Sequence, residues 1–133
     1  MRNPIAAAIV FAAALATPAA AHERAVSERY SATYTACTQA AGSTADYVQC
    51  AGAEHARQDR ALNEAYRKAM ATLNARQQAK LRTAQRAWIA WRDAKCQSLA
   101  DPDWGSLSTV TANFCMVDET IARLIELEEY PPA

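Results

Sequence analysis

The sequence has few residues that interrupt helices and no excess of either charge. Only three of its 133 residues are glycine, and its 14 basic side chains are balanced by 14 acidic ones. A chain without a basic excess lacks the electrostatic footprint of a nucleic-acid-binding protein, so nucleic acid is not expected as a partner. Spaced β-branched runs of the kind that form strands are also missing, while Ala, Arg, Gln and Glu are abundant. The composition therefore predicts an all-α fold.

The sequence also lacks an apolar run long enough to cross a membrane, which takes roughly 20 residues. Its N-terminal run, Ile5 to Ala16, follows the single charge of Arg2 and precedes the small residues Ala19 to Ala21. This order is typical of a secretory signal peptide, residues 1–21, cleaved before His22. We therefore expect a periplasmic or secreted protein with no membrane span. Removing 21 of the 133 residues leaves 112, which is the size of a single domain.

Apolar periodicity predicts a small bundle of about four helices in residues 22–133. The first runs from His22 to Ala41 and stops before Gly42, a residue that favours helix ends. The second begins at Ser43 or Thr44 and runs to about Leu73. The third begins after Asn74, an N-cap that pairs with Gln77 in a capping box. The fourth begins near Ser108 or Thr109, after the break at Asp101 to Gly105.

Two helices have a recognisable apolar face. On the second, steps of four and three predict a seam that packs against a neighbouring helix. Its positions are Val48, Gly52, His55, Asp59, Leu62, Tyr66, Ala69 and Leu73. On the third, the same spacing predicts a core-facing stripe of Leu81, Ala84, Trp88, Trp91 and Ala94. We expect this third helix to be the structural centre of the bundle.

Four cysteines lie in the part of the chain expected to be exported. An even number of cysteines in an oxidising compartment predicts two disulfides, and four cysteines allow three pairings. We favour Cys37 with Cys50 and Cys96 with Cys115, because each pair brackets a turn between predicted helices and closes a short loop. A four-cysteine zinc site needs clustered spacings such as C-x-x-C, which the sequence lacks, so no cofactor is expected there.

Polar side chains are interleaved with the tryptophans of the third helix, and any of them that are buried need hydrogen-bonding partners. Asp59, Asn63 and Thr120 are the residues on other helices that periodicity places best for this role. We therefore predict a structural polar network made of Asp59, Asn63, Gln85, Arg86, Arg92, Asp93, Thr120 and Arg123.

Charge is distributed unevenly over the last two helices. Residues 75–100 hold six basic side chains and one acidic side chain, whereas the last helix is acidic. The two helices would attract each other. Alternatively, their charged faces are both solvated, and ion pairs between them contribute little to stability. Trp104, in the loop between them, is expected to fold back onto the core, with an exposed contact as the alternative. The candidate partner-binding residues are Asp118, Glu119, Glu126, Glu128, Glu129 and Trp104.

The two histidines are the candidates for metal or acid–base chemistry. Cleavage before His22 would leave its α-amino group and ring to chelate copper, with His55 as a third ligand, unless an N-terminal histidine is an accident of processing. His55 and Asp59 lie one helical turn apart, but no nucleophile is near them in sequence, so we interpret them as a structural contact. No serine lies in a nucleophile-type glycine motif either, and the sequence does not predict an enzyme.

Several of these motifs together resemble a known family. Two cysteines with twelve residues between them are followed by D-x-x-L-N-x-x-Y (Asp59 to Tyr66) and by L-R-x-x-Q-R-x-W-I-x-W-R-D-x-x-C (Leu81 to Cys96). Gly105-Ser106, Cys115 and T-x-x-R-x-x-x-L (Thr120 to Leu127) complete the pattern. Over residues 37–127 the set resembles the lysozyme inhibitor LprI-like family of exported bacterial proteins.

The resemblance implies a small disulfide-bonded helical domain in the bacterial envelope, and a lysozyme inhibitor that acts by protein–protein binding. The alternative is an envelope-maintenance or structural interaction protein with another partner. Lysozymes of animal hosts are generally basic, so an acidic or cleft-filling surface would steer their association with an inhibitor. The last helix offers such a surface, whereas the basic third helix would repel a basic enzyme.

Overall fold

The computed structural model describes residues 17–131, and all regular elements in this range are helical. The all-α prediction is confirmed, with five α-helices instead of about four. They are α1 (Pro18–Ser27), α2 (Ala32–Ala40), α3 (Thr44–Ala71), α4 (Ala75–Gln97) and α5 (Ser106–Glu128), with a 3-10 turn at Pro102–Trp104. None of the described helices is both long enough and apolar enough to cross a membrane. Most of the expected signal peptide, residues 1–16, lies outside the described residues.

The expected first helix, His22 to Ala41, is wrong in its continuity, because the chain breaks there into α1 and α2. Ser31 has an extended backbone and caps α2, its side chain accepting a hydrogen bond from the amide of Tyr34. The amide of Ser31 donates to Glu54 of α3 across 2.9 Å, so it is not available to a helix running on from α1. A tertiary contact therefore ends the first helix, and this contact is not visible in the local sequence.

The start of α4 is as expected. The side chain of Asn74 accepts from the amide of Gln77, and the side chain of Gln77 accepts from the amide of Asn74, both across 3.0 Å. This reciprocal pair is the capping box. Helix α5 begins at Ser106, two residues earlier than the expected Ser108, because Gly105 adopts φ 78°, a conformation that suits glycine, and turns the chain directly into the helix.

Both expected disulfides are confirmed. Cys37–Cys50 joins α2 to α3, and Cys96–Cys115 joins the end of α4 to α5. Helix α5 is the centre of the bundle, since it packs most extensively on α3 and also contacts α1 and α4. Helix α4, which we expected to be the centre, has its principal packing contact with α5.

The core consists of two apolar clusters. The first joins α1, α2, α3 and α5 through Val26, Tyr34, Cys50, Ala51, Val117 and Ile121. The second joins α3, α4 and α5 through Leu62, Ala65, Ala69, Leu81, Leu124 and Leu127. Along α3, the buried polar residues Glu54 and Gln58 lie between the two clusters. On α5, the fully buried Thr120 lies between Val117 and Ile121 of the first cluster.

The expected apolar faces are right in one part and wrong in another. On α3, Leu62 and Ala69 are buried as expected, but Glu54 and Gln58 face the interior where His55 and Asp59 were expected. On α4, Leu81 is buried together with three other residues, Gln85, Arg92 and Cys96. Trp88 is half-buried, while Ala84, Trp91 and Ala94 are exposed. The reason is that polar residues with tertiary partners replaced apolar ones on the buried face.

Candidate partner-binding surface

The connection between α4 and α5 presents two large apolar side chains to solvent. We call residues 101–107 the Trp104 loop. Trp104 is 63% exposed and Leu107 is 67% exposed, more than any other large apolar residue in the described part of the chain. The expectation that Trp104 folds back onto the core is therefore wrong. Its side chain is exposed, and a contact with a partner at this position stays a prediction.

The backbone of the Trp104 loop is held in place by its own hydrogen bonds. The amides of Asp103 and Trp104 donate to the side chain and the carbonyl of Asp101, across 2.9 Å and 3.0 Å. The hydroxyl of Ser108 lies 2.8 Å from the carbonyl oxygen of Asp101 and 2.7 Å from that of Gly105, so it donates to one of them at a time. A loop that is ordered in advance loses little conformational entropy on binding.

The chemistry of the Trp104 loop is that of a protein-binding hot spot. Tryptophan is one of the residue types most enriched at such spots, and Trp104 follows two acidic residues, Asp101 and Asp103. Neither Asp101 nor Asp103 forms an ion pair with any described residue, so both carboxylates are available to an external cation. The loop therefore combines an apolar centre with a negative rim.

The acidic residues expected to bind a partner are mostly occupied within the molecule. Asp118 accepts from the hydroxyl of Tyr30 across 2.6 Å, and Glu119 pairs with Lys95. Glu126 pairs with Arg123 at 2.8 Å, and Glu128 pairs with Arg29 at 2.7 Å. Among the described residues Glu129 has no ion pair. These α5 carboxylates therefore offer less free negative charge than their number suggests.

A cleft of about 540 Å³ lies between α1 and α5, and His22, Glu23, Tyr30, Asp118 and Glu119 are among its lining residues. Burial is the main cause that raises the pKa of Asp118 above its usual range. Burial and the hydrogen bond to Asp118 also raise the pKa of Tyr30, which keeps its hydroxyl protonated. The hydrogen bond thus fastens the segment between α1 and α2 to α5.

The expected polar network is joined in part. Arg92 is 7% exposed and donates to Thr120 across 3.3 Å, while its other nitrogens contact Asp93 at 2.8 and 2.9 Å. Arg123 donates to the buried side chain of Gln85 across 2.9 Å. The guanidinium groups of both arginines lie over the ring of Trp88, at 4.9 Å and 5.9 Å from its centroid. These contacts fasten α4 to α5.

Three other members of the expected network lie outside this group. Asn63 donates to Asp59 across 3.1 Å, and this pair on the surface of α3 has no hydrogen bond to α4 or α5 among the described residues. Arg86 is exposed. The network is therefore an α4–α5 contact, with Asp59, Asn63 and Arg86 at the surface.

The two histidines are in different parts of the molecule. His22 lines the α1–α5 cleft, whereas His55 lies on α3. Burial, followed by the charge of Arg92, lowers the pKa of His55, while Asp59 and Asp93 act to raise it. The Nε2 atom of His55 is buried without a hydrogen-bonding partner. No group of three or more metal-ligating side chains is present within residues 17–131. The structure does not bring His22 and His55 together.

Comparison with known families decides the relationship of this chain. Residues 35–127 match the family described as lysozyme inhibitor LprI. The chain belongs to the LprI family. No curated protein and no solved structure shows a significant match to it. The LprI match includes both disulfides and the whole Trp104 loop, whereas α1 lies before it. The description of the LprI family names inhibition and not catalysis.

The sequence interpretation missed three residues of the Trp104 loop, Asp101, Asp103 and Leu107. Helical periodicity could not have found Leu107. It lies three residues before Val110 and so continues the spacing of the buried face of α5, which assigns it to the core, yet it is 67% exposed. The local signal was the pair of aspartates just before Trp104, since charged residues are mostly exposed.

Proposed function

We propose that this protein is an extracytoplasmic lysozyme inhibitor that acts by protein–protein binding, with the Trp104 loop as its principal contact. The observation that carries the proposal is the match of residues 35–127 to the LprI family. Two disulfides support an oxidising compartment such as the periplasm or the extracellular medium. The mature chain would begin at His22, as one helical domain.

The Trp104 loop suits an enzyme cleft better than the acidic side chains of α5 do. Clefts that bind small molecules are lined mainly by apolar and aromatic side chains, which complement Trp104 and Leu107. The free carboxylates of Asp101 and Asp103 would steer the loop toward a basic enzyme. Four of the five α5 carboxylates, in contrast, already have a partner within the protein.

The basic residues of α4 would repel a basic enzyme strongly only if they lay close to the enzyme bound at the Trp104 loop. Arg86 precedes the end of α4 at Gln97 by 11 residues, or roughly 16 Å at 1.5 Å per residue. The Debye length at physiological salt is about 8 Å, so solvent-exposed charges at that separation are largely screened. An enzyme bound at the Trp104 loop would therefore experience little repulsion from the first half of α4.

The test is lysozyme binding by three forms of the oxidised protein, measured on an immobilised basic animal lysozyme. The wild type is expected to bind, and the double variant Trp104→Ala, Leu107→Ser to bind at least about 30-fold more weakly, as expected for a hot spot. Trp91→Ala, which removes the 50% exposed tryptophan of α4, is the matched control and should bind like the wild type.

Two outcomes would contradict the proposal at different levels. Equal binding by the double variant and the wild type would place the contact outside the Trp104 loop and leave lysozyme binding intact. No binding by the wild type at about 100 μM, a concentration well above that of a specific complex, would remove lysozyme as the partner. Circular dichroism of each variant establishes that the helices are retained.

A further inference from the structure

Helix α4 is attached to the bundle along one narrow side. Four of its 23 residues are buried, Leu81, Gln85, Arg92 and Cys96, and their spacings of four, seven and four place them on a single face. Its principal packing contact is with α5. The rest of the helix surface, over six turns, has no covering element among the described residues. A helix that is polar around most of its circumference needs either solvent or a polar partner on that side.

The uncovered surface of α4 is strongly basic. Arg76, Lys80, Arg82 and Arg86 are all exposed, and none of them forms an ion pair or a side-chain hydrogen bond within residues 17–131. The other cations of α4 are used internally, Arg92 with Asp93 and Lys95 with Glu119. Four uncompensated positive charges in the first three turns of one helix form a local field that the near-neutral net charge of the protein conceals.

A large aromatic side chain continues this basic surface along the helix. Trp91 is 50% exposed, and Lys95 lies over its ring at 5.0 Å from the centroid. Ile89, 40% exposed, lies on the opposite flank of the helix. Between the cations, small residues form a shallow apolar depression that is lined by Arg76, Ala79, Lys80, Thr83 and Ala84. The face therefore combines cations, an indole ring and a shallow apolar depression.

We propose that the outward face of α4, made up of Arg76, Lys80, Arg86 and Trp91 with Arg82 at its edge, docks on the anionic headgroup surface of a phospholipid membrane. The cations match anionic headgroups in charge, and each basic residue near such a surface adds about fivefold to the affinity. Tryptophan is favoured at the boundary between headgroups and acyl chains, where its ring is partly buried and its N–H stays hydrated. The small side chains let the helix lie close to the surface.

This docking is independent of the proposed lysozyme inhibition and uses a different surface. An acidic protein is the other class of partner that the charge would fit. The exposed Trp91 favours the membrane, because an interfacial helix needs an apolar side chain that enters the headgroup layer, in addition to its charge. The proposal concerns peripheral binding, since none of the described helices has the length and apolarity of a membrane span.

The test is co-sedimentation of the oxidised protein with vesicles of equal parts phosphatidylglycerol and phosphatidylcholine, compared with vesicles of pure phosphatidylcholine. The wild type should sediment with the anionic vesicles and not with the neutral ones, and added salt should weaken the binding. The variant Arg76→Glu, Lys80→Glu should lose at least about 25-fold in affinity, at fivefold for each cation. Trp91→Ala should also weaken binding to the anionic vesicles.

The matched control is Arg60→Glu, Arg67→Glu on α3. It changes the net charge by the same amount, and both arginines are exposed and have no ion pair within residues 17–131. This control should bind anionic vesicles within about threefold of the wild type, as expected if local charge decides the affinity. Equal losses in the two double variants, or a wild type that does not sediment with anionic vesicles, would overturn the assignment. If the wild-type protein stays in solution with anionic vesicles but binds an acidic protein, the partner of this face is a protein and the membrane assignment is wrong.

Discussion

The carboxylate of Glu54 binds Ser31 at both of its donor groups, accepting from the amide at 2.9 Å and from the hydroxyl at 2.6 Å. It also accepts from Gln58 at 2.7 Å and pairs with Arg57. Burial raises the pKa of Glu54, but these hydrogen bonds together lower it more, so the pKa lies below its usual range. A fully buried carboxylate thus fixes the start of α2 against α3.

Replacing Glu54 by alanine should lower the free energy of unfolding by about 3 to 5 kcal/mol, since both donors of Ser31 and one N–H of Gln58 lose their acceptor and Arg57 loses its countercharge. Urea denaturation measures the change. Glu64→Ala, on the exposed side of the same helix, is the control and should leave the denaturation midpoint nearly unchanged. Equal effects of the two substitutions would mean that Glu54 is not a structural centre.

Stability should decrease on acidification below pH 6.5, and His55 should be the cause. Burial, followed by Arg92, lowers the pKa of His55, with Asp59 and Asp93 opposing. A base with a lowered pKa in the folded state binds its proton more readily when unfolded. Its contribution is therefore complete above the ordinary value of 6.5 and is lost as the pH falls from there toward the folded pKa. The loss is at most about 1.4 kcal/mol per pH unit.

The measurement is the urea midpoint at pH 7.5 and pH 5.5 for the wild type and for His55→Gln. The glutamine variant should lose less stability between the two values, because it cannot be protonated. Asp118, whose raised pKa acts in the opposite direction, is present in both proteins and does not affect the comparison. The same pH dependence in both proteins would rule out His55 as its source.

The two tryptophans of α4 should differ in their effect on stability. Trp88 packs on the second apolar cluster and lies beneath the guanidinium groups of Arg92 and Arg123. Trp88→Ala should cost about 2 to 3 kcal/mol of unfolding free energy, less than a fully buried tryptophan. Trp91→Ala should change it by no more than about 0.5 kcal/mol, as at other exposed sites. Thermal or urea unfolding measures both changes. A larger loss of stability for Trp91→Ala than for Trp88→Ala would mean that Trp91, and not Trp88, packs on the core.

The two disulfides should contribute similarly to stability and differently to function. They are separated by 13 and 19 positions in the sequence, so removing either pair should cost about 3 kcal/mol by the loop-entropy model. Cys96→Ala with Cys115→Ala should also weaken lysozyme binding, because this bridge joins the two helices that the Trp104 loop connects. Cys37→Ala with Cys50→Ala is the control and should bind normally at a temperature where both variants are folded. Equal binding by the two variants would mean that the loop does not need its bridge.

The features that sequence predicted well depend on local chemistry. The capping box of Asn74 and Gln77 lies within four consecutive residues, and it set the start of α4 correctly. The disulfide pairing followed from short loops between predicted helices, since Cys37 and Cys50 lie on consecutive helices that one short turn connects. Leu62 and Ala69 followed the helical period because no polar partner competes for their positions.

The features that it missed depend on residues far apart in the chain. Glu54, Gln85 and Arg92 are buried because Ser31, Arg123 and Thr120, 23 to 38 positions away, provide their hydrogen bonds. A hydrophobic pattern assigns such residues to the surface, and so the faces of α3 and α4 were misplaced. The exposure of Trp104 was given only as the alternative for the reverse reason, because a large apolar side chain is assigned to the core by default.

The rate of cell-wall lysis by a basic animal lysozyme, measured by turbidity while the oxidised wild-type protein is added in increasing excess, tests the central claim most directly. If this LprI-family protein is an inhibitor, the lytic rate should fall with dose toward zero, and Trp104→Ala with Leu107→Ser should need a higher dose for the same effect. A lytic rate that stays undiminished at large excess of folded, disulfide-bonded protein would contradict the account.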